Sequence, residues 1–299
     1  MILFKKKYLF TIVYSLLLII FTSYILMDTF IFSEVYDVTD NYSEEIKEKD
    51  IINNKKDITD TSYKDNNISI NINTYREYET NIYVADIVLG DASYLKTAFA
   101  KNAYGKNIVA KTSEIAESNN AILAINGDYY GVQEKGYVLK NGQIYRTISK
   151  NNQEDLIIYK NGNFDTIIET ETDINDLINN EVYNLLSFGP SLIVNGNINV
   201  NKNTEVGKAM SSNPRTAIGI IDDLHYVFLV SDGRTNESKG LSLYQLATFM
   251  NKFNIKLLYN LDGGGSSTMY FNGNVINNPT TNGKTIKERS VSDIVYIGY

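Results

Sequence analysis

The sequence predicts an α+β (mixed α/β) domain, a mixed sheet rich in hairpins with a few packed helices, preceded by one N-terminal transmembrane helix. Three observations predict it. An unbroken apolar run sits near the N-terminus, short apolar runs of strand length alternate with only two helix-like segments, and Asn-Gly pairs recur between the strand-like runs.

The N-terminal element comes first. Lys5, Lys6 and Lys7 precede an apolar run from Tyr8 to Met27, long enough to cross ~30 Å of hydrocarbon at 1.5 Å per residue. The basic flank is expected to stay in the cytoplasm, which puts the rest of the chain outside as a single-pass protein of the cell membrane. No small-x-small cleavage pattern follows in Ser23-Tyr24-Ile25-Leu26-Met27-Asp28, so an anchor is favoured over a cleaved signal peptide. Residues 1–32 are thus the cytoplasmic flank and anchor. Residues 33–67, dominated by Asn, Asp, Glu, Lys, Ser and Thr, read as a solvated stalk with too little apolar surface to offset its ordering entropy. The remaining 68–299 is one functional domain.

Within that domain Ile82–Leu89 and Ala121–Ile125 read as strands, with a short helix Ser113–Asn119 between them opened by a hydroxyl cap. Leu224–Val230 and Ile255–Leu261 read as strands around a helix from Ser242 to Phe253, whose Leu243, Leu246, Ala247 and Met250 share one face. The two segments resemble each other, which raises an internal duplication. Asn141-Gly142, Asn161-Gly162, Asn195-Gly196 and Asn272-Gly273 are hairpin signals, because both residues tolerate positive φ.

Composition narrows the chemistry. A chain of 299 residues with net charge −7 has no general affinity for nucleic acid. It has no cysteine and one histidine, which excludes disulfides and thiolate nucleophiles and disfavours zinc. No cofactor is called for, although a divalent cation on oxygen ligands stays open. His225 falls beside a hairpin turn, too far along its strand from Asp232 for a Ser-His-Asp triad.

Polar residues converge by counting. Arg215 to Arg234 reads as a hairpin turning at Asp222-Asp223, which sets Arg215 opposite Val230 and beside Asp232 and Arg234. The strand-helix-strand order that follows has the length of a parallel crossover, so Asp232 and Asp262 should leave the same sheet edge. The same reasoning ends the first crossover at Asp128. The chain prefers lysine, and its only arginines are Arg76, Arg146, Arg215, Arg234 and Arg289. Two of them fall at this edge, where a guanidinium fork suits phosphate or carboxylate. Gly263, Gly264 and Gly265, followed by Ser266, Ser267 and Thr268, allow close approach of a ligand to backbone N–H groups. Tyr129 and Tyr130 are placed to stack on a sugar ring.

These residues resemble the phosphodiester glycosidase domain family. The matching stretches are Asn126-Gly127-Asp128-Tyr129-Tyr130-Gly131, Phe188-Gly189-Pro190-Ser191-Leu192, Asn213-Pro214-Arg215-Thr216-Ala217-Ile218-Gly219, Asp232-Gly233-Arg234 and Asn260-Leu261-Asp262-Gly263-Gly264-Gly265-Ser266-Ser267-Thr268-Met269. The resemblance implies hydrolysis of a sugar joined through its anomeric carbon to a phosphodiester, of the N-acetylglucosamine-phosphate type. For a bacterial surface protein the substrate would be a sugar phosphate or glycopolymer of the exopolysaccharide or wall. It also implies Asp262, Asp232 and Asp128 as catalytic carboxylates. Arg215, Arg234, Asn126, Gly263, Gly264, Gly265, Ser266 and Thr268 would bind substrate, with Arg289 where the family has a late arginine. Two rival readings use the same residues: a non-catalytic wall-glycopolymer binding module, and a metal-dependent phosphodiesterase with the three aspartates as ligands.

Overall fold

The computed structural model describes residues 6–30, 35–37, 56–206 and 212–299. Among these, Lys6–Phe30 is the one helix long and apolar enough to cross a membrane, and its span Tyr8–Met27 has a mean hydropathy of 2.3. Length and composition suit either a membrane anchor or a signal sequence.

Most of the expected stalk, 38–55, lies outside the described residues. Its end is already folded, because Asp57–Ile58 and Ser62–Lys64 add two short strands to the sheet ahead of Ile68. The polar composition hid the anchors. Tyr63 is buried, and Asp65 accepts the backbone N–H groups of Asn67 and Ile68 at 2.9 Å each, tightening the turn between strands. Val35–Asp37 also pairs, with Ala103–Gly105.

The body is four layers, helix, sheet, sheet, helix. The large sheet runs in the order Asn197–Ile198, Ser191–Val194, Leu257–Asn260, Arg215–Asp222, His225–Ser231, Thr80–Leu89, Ile68–Glu77, Ser62–Lys64, Asp57–Ile58. The smaller runs Asn274–Val275, Met269–Phe271, Leu123–Asn126, Asp293–Ile297, Leu95–Phe99. Period-two alternation sorts the side chains between layers. Tyr83, Ala85, Ile87, Ile218, Phe228, Val230 and Tyr259 of the large sheet meet Leu123, Ile125, Met269, Val295 and Ile297 of the smaller one in a shared core. The residues that alternate with them, Ile82, Val84, Ala217, Val227, Leu229 and Leu258, face outward under Leu243, Leu246, Ala247 and Met250 of the helix Leu243–Met250. The helix Thr112–Ser118 covers the smaller sheet in the same way through Ile115 and Ala116.

Helix ends follow their capping chemistry. Ser242 Oγ accepts from Gln245 N while Gln245 Oε1 accepts from Ser242 N, a reciprocal capping box. The earlier helix starts one residue sooner than its sequence suggests. Its cap is Glu114 reaching back to the Lys111 amide at 3.1 Å, while Ser113 is taken by Glu288. All four Asn-Gly pairs close hairpins, and Asn141-Gly142, Asn195-Gly196 and Asn272-Gly273 do so with positive φ at both residues.

Three details of the counted topology change. The hairpin turns at Asp223-Leu224, and Arg215 stands opposite Ser231, one position from the expected Val230. Leu224 adopts φ 55 so that its side chain packs on the core and its carbonyl accepts from Leu89 N, and a bulge between Ile220 and Asp222 absorbs the shift. The strands His225–Ser231 and Leu257–Asn260 do run the same way, but Arg215–Asp222 lies between them and pairs antiparallel with both. Every named strand pair among the described residues is antiparallel. Finally, Thr80–Leu89 and Leu123–Asn126 belong to different sheets, so the two resembling segments are not copies of one unit.

Candidate active site

Two strand ends build the site. Leu257–Asn260 of the large sheet runs into Asp262, and Leu123–Asn126 of the smaller sheet runs into Asp128. Fully buried Asn126 staples the two edges. Its Nδ2 donates to Asp262 O at 2.7 Å, and its Oδ1 accepts from Thr216 Oγ1 at 2.8 Å and from Thr268 N at 3.2 Å. Asp262 N in turn donates to Gly127 O at 3.3 Å. Asp232 leaves the large sheet at this edge too, after His225–Ser231.

The three carboxylates have different surroundings. Asp128 is buried and fully engaged: Oδ1 accepts from Tyr130 N at 2.9 Å, and Oδ2 accepts from Ser187 N at 3.1 Å and Lys140 Nζ at 3.2 Å. The Lys140 ammonium, itself 2% exposed, also donates to Asp293 Oδ2 at 2.7 Å. Burial, then the Asp128 charge, pushes Asp293 up to about 7 against the opposing pull of Lys140. Asp232 is likewise buried and spent on a neighbouring loop, accepting from Asn278 N at 2.8 Å, Asn278 Nδ2 at 3.2 Å and Tyr83 OH at 3.2 Å. Asp262 alone is only partly buried. Desolvation pushes it up to about 6, opposed by the nearby Ser266 hydroxyl, the Arg289 charge and the Gly263 amide. Ser266 lies close enough to favour the ionised form but outside hydrogen-bond geometry.

The glycine run is shaped by the arginines. Gly264 has φ +62, and a Cβ there would stand 2.8 Å from Arg234 NH2, so only glycine lets the guanidinium lie on the turn. A Cβ on Gly265 would stand 2.8 Å from Arg289 NH2. Arg234 and Arg289 therefore lie against successive residues of the Asp262 turn, and each repels the other's charge enough to lower Arg234, after desolvation. Arg234 is held at φ 64, uncommon for a residue with a Cβ, and is aimed by Asn213 Oδ1 and Thr281 O. Arg289 is exposed. Arg215 sits behind them, 3% exposed, donating to Leu241 O and Glu205 Oε2 at 2.8 Å each.

Four backbone amides along this turn are used within the fold. Gly264 N donates to Pro214 O, Ser266 N to Gly263 O, Ser267 N to Gly264 O, and Thr268 N to Asn126. The buried hydroxyls of Ser266, Ser267 and Thr268 have no hydrogen-bond partner. An open concavity of about 390 Å³ lined by Thr281, Asn282, Thr285, Lys287 and Glu288 adjoins the arginine side. Among the described residues no group of three His, Cys, Asp or Glu side chains stands so as to hold a metal ion. His225 pairs with Asp86 at 2.6 Å at the far end of the sheet, in keeping with its exclusion from a triad.

Several residues here carry no sequence signal of their own. Lys140 lies in an ordinary strand of a chain rich in lysine. Glu205 lies in a polar loop. Asp155, wholly buried, is raised well above the carboxylate range by burial and then by Glu169 beside it. Phe188 packs its ring edge-on to Tyr129 at 6.5 Å, and Tyr130, the other expected stacking residue, is buried among Phe99, Tyr104 and Tyr145.

This four-layer architecture is shared with a solved structure, the zebrafish N-acetylglucosamine-1-phosphodiester alpha-N-acetylglucosaminidase catalytic domain auto-inhibited by its pro-peptide. That match has a TM-score of 0.62 at 20% identity, covering 89% of this chain and 88% of that one. A hypothetical protein from Synechocystis shares the fold at a TM-score of 0.52 and 14% identity, over 77% of this chain and 62% of that one. The Phosphodiester glycosidase family model matches residues 119–298, and the chain belongs to that family. Among curated relatives, the mouse N-acetylglucosamine-1-phosphodiester alpha-N-acetylglucosaminidase is 29% identical over 175 residues, 53% of this chain and 33% of its own. The SPbeta prophage-derived uncharacterized protein YomE of Bacillus subtilis is 27% identical over 192 residues, 62% of this chain and 29% of its own. The chain thus spans about a third of the length of these relatives.

Proposed function

We propose that the protein is an extracytoplasmic glycosidase that hydrolyses a sugar-1-phosphodiester in surface polysaccharide or wall polymer metabolism. Membership of the phosphodiester glycosidase family supports the reaction class. The apolar span Tyr8–Met27 behind three lysines supports a single-pass membrane location with the domain outside.

One observation carries the assignment of roles: a partly exposed carboxylate, Asp262, sits on a turn flanked by two guanidinium groups. Hydrolysis breaks the bond between the anomeric carbon and the phosphate oxygen, the phosphate leaves with the electron pair, and water supplies the new hydroxyl. A phosphate monoester is already a good leaving group, so the site needs charge stabilisation more than a strong acid. Arg234 and Arg289 supply it for the phosphate. Asp262 attacks the anomeric carbon or takes the proton of the attacking water, and in either role the ionised carboxylate is the active form. Asp128 and Asp232, spent on hydrogen bonds, support the site from behind, and Arg215, held by Leu241 O and Glu205, keeps a buried positive charge near Arg234.

Incubating the full-length protein in detergent with UDP-N-acetylglucosamine tests the reading. Free reducing sugar is the expected product. Sugar phosphate lost in chelator would support the phosphodiesterase instead, and binding without turnover the wall-polymer module.

A further inference from the structure

Of the consecutive tyrosines after Asp128, only Tyr129 faces out. Tyr130 is 2% exposed inside its aromatic cluster, while Tyr129 is 43% exposed with Phe188, half-buried, at its edge. A solvated tyrosine ring backed by a second ring is an amphipathic platform of the kind that receives a flat apolar face with polar groups around its rim.

The platform is built, not incidental. The carboxylate of Asp128 accepts from Tyr130 N at 2.9 Å and from Ser187 N at 3.1 Å, so it grips the residue after one ring and the residue before the other. Phe188 N donates to Tyr259 OH at 2.9 Å, fixing the second ring to the strand that leads to Asp262. Lys140 and Asp293 hold Asp128 from beneath, through Lys140 Nζ to both carboxylates and Asp128 N to Asp293 Oδ1 at 3.0 Å. Four buried side chains, Asp128, Lys140, Asp293 and Tyr259, thus converge on the placement of two rings.

Its place relative to the chemistry follows from the same contacts. Gly127 O, two residues before Tyr129, accepts from Asp262 N, so the platform begins at the first residue of the reactive turn. Arg234 and Arg289 meet that turn at Gly264 and Gly265, its other end.

We infer that Tyr129 forms the floor of a pyranose subsite and Phe188, perpendicular to it, one wall, with Asp262 between the sugar on this side and the phosphate on the arginine side. The inference rests on the glycosidase reading for the phosphate and adds the sugar's location. Asp128 is then a positioning residue for the platform, acting through the backbone of Tyr130 and Ser187.

The test uses the full-length protein in detergent, with N-acetylglucosamine and inorganic phosphate as separate probes, measured by calorimetry and as inhibitors of UDP-N-acetylglucosamine hydrolysis. Tyr129→Ala should weaken N-acetylglucosamine binding and raise KM by roughly tenfold, the size of one lost aromatic contact, with a smaller change in kcat. Phosphate binding should not change. Tyr129→Phe should retain sugar binding, and Arg289→Ala should show the reverse pattern, losing phosphate and keeping sugar. Sugar binding unchanged in Tyr129→Ala, or sugar and phosphate weakened together, overturns the subsite. If the wild-type protein binds N-acetylglucosamine through Tyr129 but releases no reducing sugar, the subsite stands and the hydrolytic reading fails. Absence of any monosaccharide binding overturns the inference even if turnover is seen.

Discussion

Asp128 and Asp262 end neighbouring strands of two facing sheets and are joined through Asn126 and Gly127, yet their surroundings are opposite. Asp128 is wrapped by Tyr130 N, Ser187 N and the buried Lys140 ammonium. Asp262 keeps an exposed edge, and burial holds it up at about 6 with only partial compensation from Ser266, Arg289 and Gly263. A carboxylate held by three donors, one of them a buried ammonium, is a poor base and a good strut. One that is under-compensated costs the fold some stability and keeps its reactivity. The site combines one of each: a saturated acid that fixes loop geometry and an unsaturated one that this geometry delivers to solvent.

The largest way to break that contrast is from the saturated side. Lys140→Met would leave Asp128 and Asp293 as uncompensated buried charges, and breaking a buried pair from one side costs about 3–5 kcal/mol. The variant should be largely unfolded at pH 8 by circular dichroism, with the double variant Lys140→Met, Asp293→Asn recovering most of the loss. A stable single variant would show that the cluster is not the strut described.

Next in size are the guanidinium groups. Arg234→Ala and Arg289→Ala should each lower kcat/KM by about 10²-fold, the loss seen when one fixed donor to a developing charge is removed. Arg289→Lys should lose less, since the charge stays and only the fork goes. Retained activity in both alanine variants would move the phosphate elsewhere, Arg215 being the next candidate.

The pH profile sharpens the assignment. With Asp262 pushed up to about 6 and active when ionised, kcat/KM should fall below about pH 6 with a single acid limb. A limb near 4, the range of an ordinary carboxylate, would contradict it.

The smallest effect is on stability. A folded-state value of about 6 above an unfolded value of 3.8 means the folded chain holds the proton more tightly, so Asp262 costs stability that is fully felt above pH 6 and absent below about pH 4. Asp262→Asn should therefore stabilise the fold by on the order of 1 kcal/mol at pH 7.5, read as a higher Tm, and have almost no effect at pH 3.

Local signals in the sequence read well because they act locally. Asn-Gly dipeptides fix positive φ, and Ser242 with Gln245 caps its helix from three residues away, so hairpins and helices were legible. The register of the Arg215–Asp222 hairpin was not, since it turns on where Leu224 packs and whose amide its carbonyl meets. The same limit governed the site. Hairpin counting and the strand-helix-strand order bring Arg215, Asp232 and Arg234 to Asp262, and the family resemblance adds Arg289, but the difference between Asp128, Asp232 and Asp262 depends on Lys140, Tyr83 and Asn278, which arrive from distant elements. Lys140 itself looks like any strand lysine until three separate segments close around it. The splitting of the two strand-helix segments between different sheets was equally beyond reach, because a sequence records connection lengths and not the layer in which a strand settles.

Turnover of a sugar-1-phosphodiester by Asp262→Asn and Asp128→Asn, measured side by side as reducing sugar released from UDP-N-acetylglucosamine at pH 7.5, tests the account most directly. Removing a base or nucleophile should abolish turnover at least 10²–10⁴-fold in Asp262→Asn, with a thermal transition at or above the wild type's. Asp128→Asn should lose thermal stability and, in the protein that stays folded, raise KM while losing far less kcat than Asp262→Asn. Near-normal release of reducing sugar by folded Asp262→Asn would contradict it.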